Sequence, residues 1–187
     1  MRVITGKARG RKLVTVEGTE VVRPTADSVK EAIFSAIQFE IEGRRVLDLF
    51  AGSGQLGIEA LSRGAAECWF VDSAAVSIKA VRDNLKSTGF EGEAKVVNMP
   101  FSAFLKSTKA VFDIAILDPP YNYNLIRKAL PNLTEKMSEN GVIICEHEKE
   151  CTLPQRVGRF ELAKLLRHSR TSVSIYRPAA EEGSDTE

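Results

Sequence analysis

Short apolar runs alternate with helix-like segments between residues 45 and 145, and this alternation constrains the fold more than any other feature. Parallel strands covered by helices on both faces read as continuous apolar runs. Such an order of elements predicts an α/β fold around a largely parallel sheet. The predicted strands are Val46–Phe50, Cys68–Val71, Ala94–Val97, Phe112–Leu117 and Gly141–Cys145.

Helical spacing of apolar residues predicts the segments that connect these strands. A first helix is expected after Arg23-Pro24-Thr25, and the others cover Leu56–Leu61, Ala74–Lys86 and Asn124–Met137. Outside this core, two β-prone runs around Gly6 and Gly10 predict an N-terminal hairpin, and two more predict a closing antiparallel pair. Those four runs are Met1–Thr5, Arg11–Val16, Phe160–Leu166 and Ser172–Tyr176.

Composition is that of an ordinary globular protein, with 187 residues of which 43% are hydrophobic. No apolar run approaches the roughly 18 residues of a membrane span, and the first residues lack the apolar core of a secretory signal. Three cysteines without a CxxC pair predict no disulfide framework and fit a reducing, cytoplasmic location. We expect no metal site, and nothing in the sequence requires more than a monomer.

Charge is distributed unevenly between the two ends of the chain. Five bases precede the first acid, Glu17, and a basic arm of this kind suits nucleic-acid phosphates; a solvated surface hairpin is the alternative. The expected divisions are a basic hairpin at 1–22, a main domain at 23–177 and a disordered acidic tail at 178–187. The five bases are Arg2, Lys7, Arg9, Arg11 and Lys12.

A glycine-rich turn follows the first predicted strand. Gly52, Gly54 and Gly57 form a GxGxxG string between a strand and a helix, where the backbone can approach a ligand and the helix N-terminus favours a negative group. A dinucleotide fold would show the same string. A tight turn without a ligand is the other alternative.

Two acids lie near the glycine turn, and only the first distinguishes between the possible ligands. Asp48, four residues before Gly52, suits an ammonium group better than a pyrophosphate, and S-adenosylmethionine (SAM) carries an ammonium beside a carboxylate that the helix N-terminus would bind. Asp72, at the end of the second strand, can accept hydrogen bonds from ribose hydroxyls. NAD-binding folds use the same device, and Asp72 could instead cap the next helix.

A rigid corner, Asp118-Pro119-Pro120-Tyr121, ends the fourth strand. Two prolines remove two N–H donors. The Asp118 carboxylate and the Pro119 carbonyl therefore remain as acceptors for an exocyclic NH2, while Tyr121 offers a stacking face. These contacts would aim the amine lone pair at a methyl group on a sulfonium, so positioning and electrostatics could drive transfer without a metal. A plain strand-to-helix turn is the alternative.

The whole chain resembles the RsmD-type bacterial small-subunit rRNA (guanine-N2)-methyltransferases. The likeness rests on the opening MRVITGKARGRKL, the Arg23-Pro24-Thr25 segment, DLFAGSGQLGIEALSRGA from Asp48 to Ala65, and Asp118 to Tyr121. It implies a class I SAM-dependent methyltransferase domain, Rossmann-like, with a mostly parallel seven-stranded sheet and a C-terminal antiparallel pair. It also implies small-subunit (16S) rRNA, free or in the assembling subunit, as the partner.

The resemblance assigns roles by motif. Catalytic positions are Asp118, Pro119 and Tyr121, and SAM would be held by Asp48, Gly52, Ser53, Gly54, Asp72 and Ser73. Pro100 stands where the family commonly has an acidic or amide side chain near adenine, so the Phe101 N–H or the Ser102 hydroxyl would replace it. RNA would be bound by Arg2, Lys7, Arg9, Arg11, Lys12, Arg23 and Thr25.

Other functions remain open from the residues alone. The corner would also suit methylation of adenine N6 or cytosine N4 in DNA or RNA, although the chain has no evident target-recognition domain. A dinucleotide-dependent oxidoreductase would use the GxGxxG string but leaves Asp48 and the corner unexplained. A non-catalytic RNA-binding module is the fourth possibility, and the intact acids argue against it.

Overall fold

In the part of the chain that the structure describes, one mixed sheet of eight strands forms the centre, in the order β3-β2-β1-β4-β5-β8-β7-β6. The structure, a computed structural model, describes residues 1–16, 26–120 and 123–180. The strands are β1 Arg45–Asp48, β2 Glu67–Asp72, β3 Ala94–Asn98, β4 Phe112–Leu117, β5 Met137–Glu148, β6 Arg156–Val157, β7 Phe160–Arg167 and β8 Thr171–Pro178.

Strands β1 to β5 run parallel and carry the helices, whereas β8 pairs antiparallel with both β5 and β7. The predicted α/β class and antiparallel pair are thereby confirmed. The predicted number of seven strands is wrong, because the two-residue β6 adds an edge strand on β7. So short a run carries no periodicity in the sequence. The α-helices are α1 Asp27–Ala36, α2 Gln55–Ser62, α3 Ala75–Thr88, α4 Phe101–Ser107 and α5 Tyr123–Thr134.

The helices divide between the two faces of the sheet. Alternate residues of each strand point to opposite faces, so Val46 packs in one hydrophobic cluster with α1, α2 and α3, while Leu47 packs in a second with α4 and α5. Two packed layers bury the strands on both sides. This arrangement explains why the sequence shows uninterrupted apolar runs.

All eight residues of α2 are buried. Its inner side meets the sheet, and its outer side is covered by residues 1–16, which we call the N-terminal segment. Within this segment the two arms meet at one antiparallel bridge, Arg2 with Lys12, and remain outside the main sheet. The predicted hairpin is therefore present as a covering layer on α2, and residues 17–22 of its expected range lie outside the described residues.

Close packing joins the N-terminal segment to α2. A Cβ built on Gly6, whose φ is +86°, would stand 1.8 Å from the backbone oxygen of Ser62, so only glycine fits there. The amides of Ile4 and Thr5 donate to the buried Glu59 carboxylate at 2.8 and 3.0 Å. The segment and the helix consequently form one packed unit.

The C-terminal end of the sheet extends slightly beyond the predicted main domain. Strand β8 runs through Pro178, and the Ala179 amide donates to the Arg159 carbonyl at 2.8 Å. Residues 181–187, which hold the four acids of the predicted tail, lie outside the described residues. Among the described residues, no helix is both long enough and apolar enough to cross a membrane.

Gly57 sets the distance between α2 and β2. A Cβ there would lie 2.3 Å from the Phe70 ring and 2.7 Å from the Cys68 sulfur. We expect Gly57→Ala to lower the free energy of unfolding by about 2 kcal/mol, because overpacking outweighs the better helix propensity of alanine. Urea denaturation measures the change through its midpoint.

The control for this prediction is Gly92→Ala, since a Cβ at Gly92 meets nothing within 4 Å and its φ is not positive. It should change stability by no more than about 0.5 kcal/mol. Equal midpoints for the two variants would contradict the packing role of Gly57.

Candidate active site

Three carboxylates meet where the parallel strands end. Asp48 is the last residue of β1, and its register partners are Phe70 on β2 and Ile116 on β4. Asp72 and Asp118 each lie two residues beyond those partners: Asp72 is the last residue of β2, and Asp118 directly follows β4. Strand order reverses between these neighbours, since β2 and β4 lie on opposite sides of β1, and ligands of open α/β sheets bind at such a point.

Asp48 is almost fully enclosed, with 1% exposed surface. Its Oδ2 accepts the Gly57 amide at 2.9 Å, which ties the end of β1 to the first turn of α2. The pKa of Asp48 is raised to about 7, mainly by burial and further by the negative charges of Asp118 and Asp72, while the Gly57 hydrogen bond opposes the rise. A cation placed beside this cluster would be favoured, and a second negative group would be disfavoured.

Asp72 organises the backbone on both sides of the cleft. One carboxylate oxygen accepts the Gly52 amide at 2.9 Å, and the other accepts the Ala74 amide at 2.8 Å. The alternative prediction is that Asp72 caps the next helix. Asp72 is not itself the N-cap residue of α3, but its side chain accepts the amide of that residue, Ala74. Each oxygen keeps a lone pair for a further donor. Its predicted ribose contact stays a prediction, as does the predicted cofactor contact of Ser73, which is exposed.

The glycine turn presents an open backbone surface. Gly52 and Gly54 have φ values of +53° and +78°, a region that strongly favours glycine. A Cβ on Gly52 would meet nothing within 4 Å, whereas one on Gly54 would press against Phe70 and Val81. One glycine therefore faces free space and the other faces the protein. Ser53 is partly exposed between them.

Asp118 and Pro119 leave β4 at the same edge and are half-buried. Because β4 pairs with β1, the corner leaves the sheet beside the end of β1, and the charge of Asp118 contributes to the raised pKa of Asp48. Tyr121, the third predicted catalytic position, lies outside the described residues.

On the far side of the turn, α4 begins at Phe101 directly after Pro100. The Phe50 and Phe101 rings are 5.2 Å apart, so the start of α4 closes against the segment that leads into the glycine turn. Ser102 is exposed. The structure brings both residues to the edge where the strands end, and their contact with adenine stays a prediction.

All five predicted RNA-binding bases of the N-terminal segment are exposed. Arg2 also pairs with Asp27 at 3.4 Å across the start of α1. Arg23 and Thr25 lie outside the described residues. The exposed bases are Arg2, Lys7, Arg9, Arg11 and Lys12.

Sequence reasoning missed the buried polar residues that hold this segment. Glu59, Lys30 and Asn84 have 0%, 0% and 1% exposed surface, and each bonds to the backbone of the N-terminal segment. Burial lowers the pKa of Lys30, whose ammonium donates to the Arg2 carbonyl at 2.7 Å. The sequence does show that these three polar residues occupy core positions of predicted helices. It does not show which residues they bind.

Within the three described ranges, no group of three or more His, Cys, Asp and Glu side chains is arranged to hold a metal ion. Burial raises the pKa of Cys68 and Cys145, so neither thiol is suited to act as a nucleophile.

Comparisons with known proteins give a consistent set of matches. The family model described as Conserved hypothetical protein 95 matches residues 1–177. "Putative rRNA methyltransferase YlbH" of Bacillus subtilis is 41% identical over 182 residues, which span 95% of this chain and 98% of that protein.

Two further matches cover nearly the whole chain. "Ribosomal RNA small subunit methyltransferase D" of Haemophilus influenzae is 37% identical, over 95% of this chain and 92% of that protein. The solved structure "Putative methyltransferase yhhF" from Escherichia coli superposes with a TM-score of 0.83 at 31% identity, over 97% of this chain and 99% of that one.

Proposed function

This chain belongs to the RsmD-type methyltransferase family, and from that premise we propose that it transfers a methyl group from SAM to the exocyclic N2 amine of a guanine in small-subunit rRNA. The observation that carries the proposal is the meeting of Asp48, Asp72 and Asp118 beside an open glycine turn. The cytoplasm, where small subunits assemble, is the proposed location.

Electrostatics favour SAM over a dinucleotide at this site. Burial, and to a smaller extent the like charges of Asp118 and Asp72, raise the pKa of Asp48, so a ligand with an ammonium and a sulfonium would stabilise its charged form. A pyrophosphate would add two negative charges to the same cleft. The Gly52 side of the turn leaves room for a ligand to approach the backbone. These features fit SAM and argue against the oxidoreductase alternative.

SAM supplies a methyl group on a sulfonium, which is already a good leaving group. Asp118 and the Pro119 carbonyl would accept the two hydrogens of the guanine amine and hold its nitrogen in line with that carbon. The nitrogen lone pair forms the N–C bond as the C–S bond breaks, and the extra proton on nitrogen leaves to solvent or to Asp118. No group has to be activated chemically, so positioning and electrostatics would supply the rate.

Two observations support rRNA as the methyl acceptor: the names of the relatives and the positive charge of the N-terminal segment. Relatives named as small-subunit rRNA methyltransferases span nearly the whole chain. The N-terminal segment presents five exposed bases on the outer side of α2, where phosphates of an RNA substrate would bind. A guanine in paired RNA would have to leave its stack to reach Asp118.

The test uses methyl-labelled SAM and two substrates, small ribosomal subunits from a strain without the modification and the free rRNA. We expect labelled N2-methylguanosine after nuclease digestion, and the two substrates show whether the particle is needed. N6-methyladenosine or N4-methylcytidine as the product would favour the alternative acceptors. Calorimetry with SAM and NADH side by side provides the control for cofactor identity. SAM binding without any N2-methylguanosine would overturn the proposal.

The N-terminal bases give a salt-dependence prediction. We expect the double variant Arg9→Ala/Arg11→Ala to bind rRNA about tenfold more weakly at 0.1 M salt. The slope of log affinity against log salt should fall by about 1.4, because each lost phosphate contact removes about 0.7. Filter binding over a salt series measures both quantities.

The matched control is Lys164→Ala/Arg167→Ala, which removes two exposed cations from β7 on the opposite half of the sheet. Its slope should equal that of the wild type. Equal slopes for both double variants would assign RNA binding to another surface.

A further inference from the structure

Asn84 is the one residue of α3 whose side chain bonds both to the N-terminal segment and to the glycine turn among the described contacts. Its Oδ1 accepts the Val14 amide at 2.7 Å, and its Nδ2 donates to the Val14 carbonyl at 3.0 Å. The same Nδ2 donates to the Ser53 carbonyl at 2.8 Å. One buried amide thus connects the proposed RNA-binding segment to the proposed cofactor loop.

The geometry leaves this amide little freedom. Both N–H groups and the oxygen of Asn84 are engaged, and the side chain is 1% exposed. A buried amide that loses one partner bears the cost of an unpaired polar group, so its three bonds support one another. If the Ser53 carbonyl moves, the Asn84 side chain has to move or lose a hydrogen bond. Its hydrogen bonds to the backbone of Val14 then weaken as well.

A second contact runs alongside the first. The Ser53 hydroxyl lies 3.7 Å from the Met1 sulfur, so the turn touches the other arm of the segment as well. Gly54, the next residue of the turn, faces Val81 of α3, and an added Cβ there would lie only 3.2 Å from the Val81 side chain. The turn, α3 and both arms of the segment form a continuous contact network.

We infer that Asn84 is a positioning residue that couples cofactor binding at the glycine turn to docking of the N-terminal segment. The inference rests on the proposed function and goes beyond it. A ligand that holds the turn in one conformation holds the Ser53 carbonyl where Asn84 needs it, and this steadies Val14 and its neighbouring bases. By reciprocity, RNA bound to the segment strengthens cofactor binding by the same factor.

The first experiment is hydrogen exchange on the full chain with and without saturating S-adenosylhomocysteine, the reaction product. In the wild type, we expect the product to slow exchange of residues 11–16 about tenfold. In Asn84→Ala the slowing should disappear, since nothing then relays the state of the turn. Heat stability alone would not report this ligand dependence, so the result separates positioning from a merely structural role.

Two further variants keep the test decisive. Val14→Pro removes the N–H that Asn84 accepts without altering α3, and it should abolish the slowing at Leu13 while leaving product affinity within about twofold. Ser62→Ala is the matched control, because the Ser62 hydroxyl accepts the Ala8 amide at 3.0 Å and donates to the Thr5 carbonyl, both in the N-terminal segment and away from the turn. It should speed basal exchange of the segment and retain the slowing by product.

The second experiment measures the affinity of in vitro transcribed small-subunit rRNA with and without the product. We expect about fivefold tighter binding with product in the wild type and no change in Asn84→Ala. Product that binds without slowing exchange or tightening RNA would overturn the inference alone, as would equal effects in Asn84→Ala. Product that fails to bind in calorimetry would overturn the proposed function and, with it, this inference.

Discussion

Asp118→Ala should lower the rate of methyl transfer about a thousandfold while changing SAM affinity by no more than about threefold. Asp118 leaves β4 beside the cofactor cleft, where its carboxylate would accept a hydrogen of the target amine. Removing a preorganised group at the reacting atom commonly costs a factor of 100 to 1,000. Single-turnover transfer measures the rate, and calorimetry measures the affinity.

The matched control for this prediction is Asp113→Ala. Asp113 lies on the same strand at its opposite end, where its carboxylate accepts the Arg45 amide at 3.0 Å, so the same substitution is made away from the cleft. Transfer by this variant should match the wild type. If Asp118→Ala lost SAM affinity and transfer by equal factors, Asp118 would belong to the cofactor site and not to the acceptor site.

Asp48 gives the second large effect, which is a pH dependence of cofactor affinity. With a pKa of about 7 in the free protein, Asp48 holds a proton at pH 5 that a bound ammonium would displace. Affinity for S-adenosylhomocysteine should therefore rise by up to about tenfold for each pH unit between 5 and 7, with release of a proton. Calorimetry in buffers of different ionisation enthalpy counts that proton.

Asp48→Asn should abolish this slope, because the amide cannot ionise. At pH 8 the variant should bind the product at least about tenfold more weakly than the wild type, and at pH 5 the two should differ little. Asp113→Asn makes the same change near the start of β4, away from the cleft. This control should keep the wild-type dependence of affinity on pH. A flat wild-type profile between pH 5 and 7 would show that no cationic group of the ligand meets Asp48.

The same residue predicts a stability change in the free protein. Its folded pKa of about 7 lies above the ordinary aspartate value of 3.8, which applies to the unfolded chain. Between about pH 4 and 7, the folded protein keeps a proton that the unfolded chain has lost. The Asp48 contribution to the free energy of unfolding therefore falls as pH rises, by about 1.4 kcal/mol per unit, and is lowest above pH 7. Denaturation of wild type and Asp48→Asn at pH 5 and pH 8 isolates this contribution.

Much of the parallel core could be predicted from the sequence. The predicted β4 matches the observed strand residue for residue, and the other parallel strands start within four residues of their predicted positions. Strand β5 is longer than predicted, Met137–Glu148 against Gly141–Cys145, because its polar first residues carry no apolar signal. Helix α4 was missed, since seven residues between a proline and a loop provide less than two full turns of pattern.

The candidate site, like the fold, could be predicted only in part. The glycine string and the corner could be located because their residue types have few other uses at strand ends. The contacts of Asp72 with Gly52 and of Asn84 with Val14 could not, because those partners lie 20 and 70 residues apart in the chain. Nothing in a local pattern names a partner at that separation.

The order of apolar and polar residues by itself determined that parallel strands end together and that Asp48, Asp72 and Asp118 lie at that end. Hydrophobic burial and strand periodicity are local properties, so they can be read along the chain. Only the tertiary structure decided how strongly those carboxylates affect one another's pKa. It also decided which buried side chains hold the N-terminal segment over α2. Electrostatic repulsion and hydrogen-bond satisfaction depend on distances across the fold, and these exist only once the chain has packed.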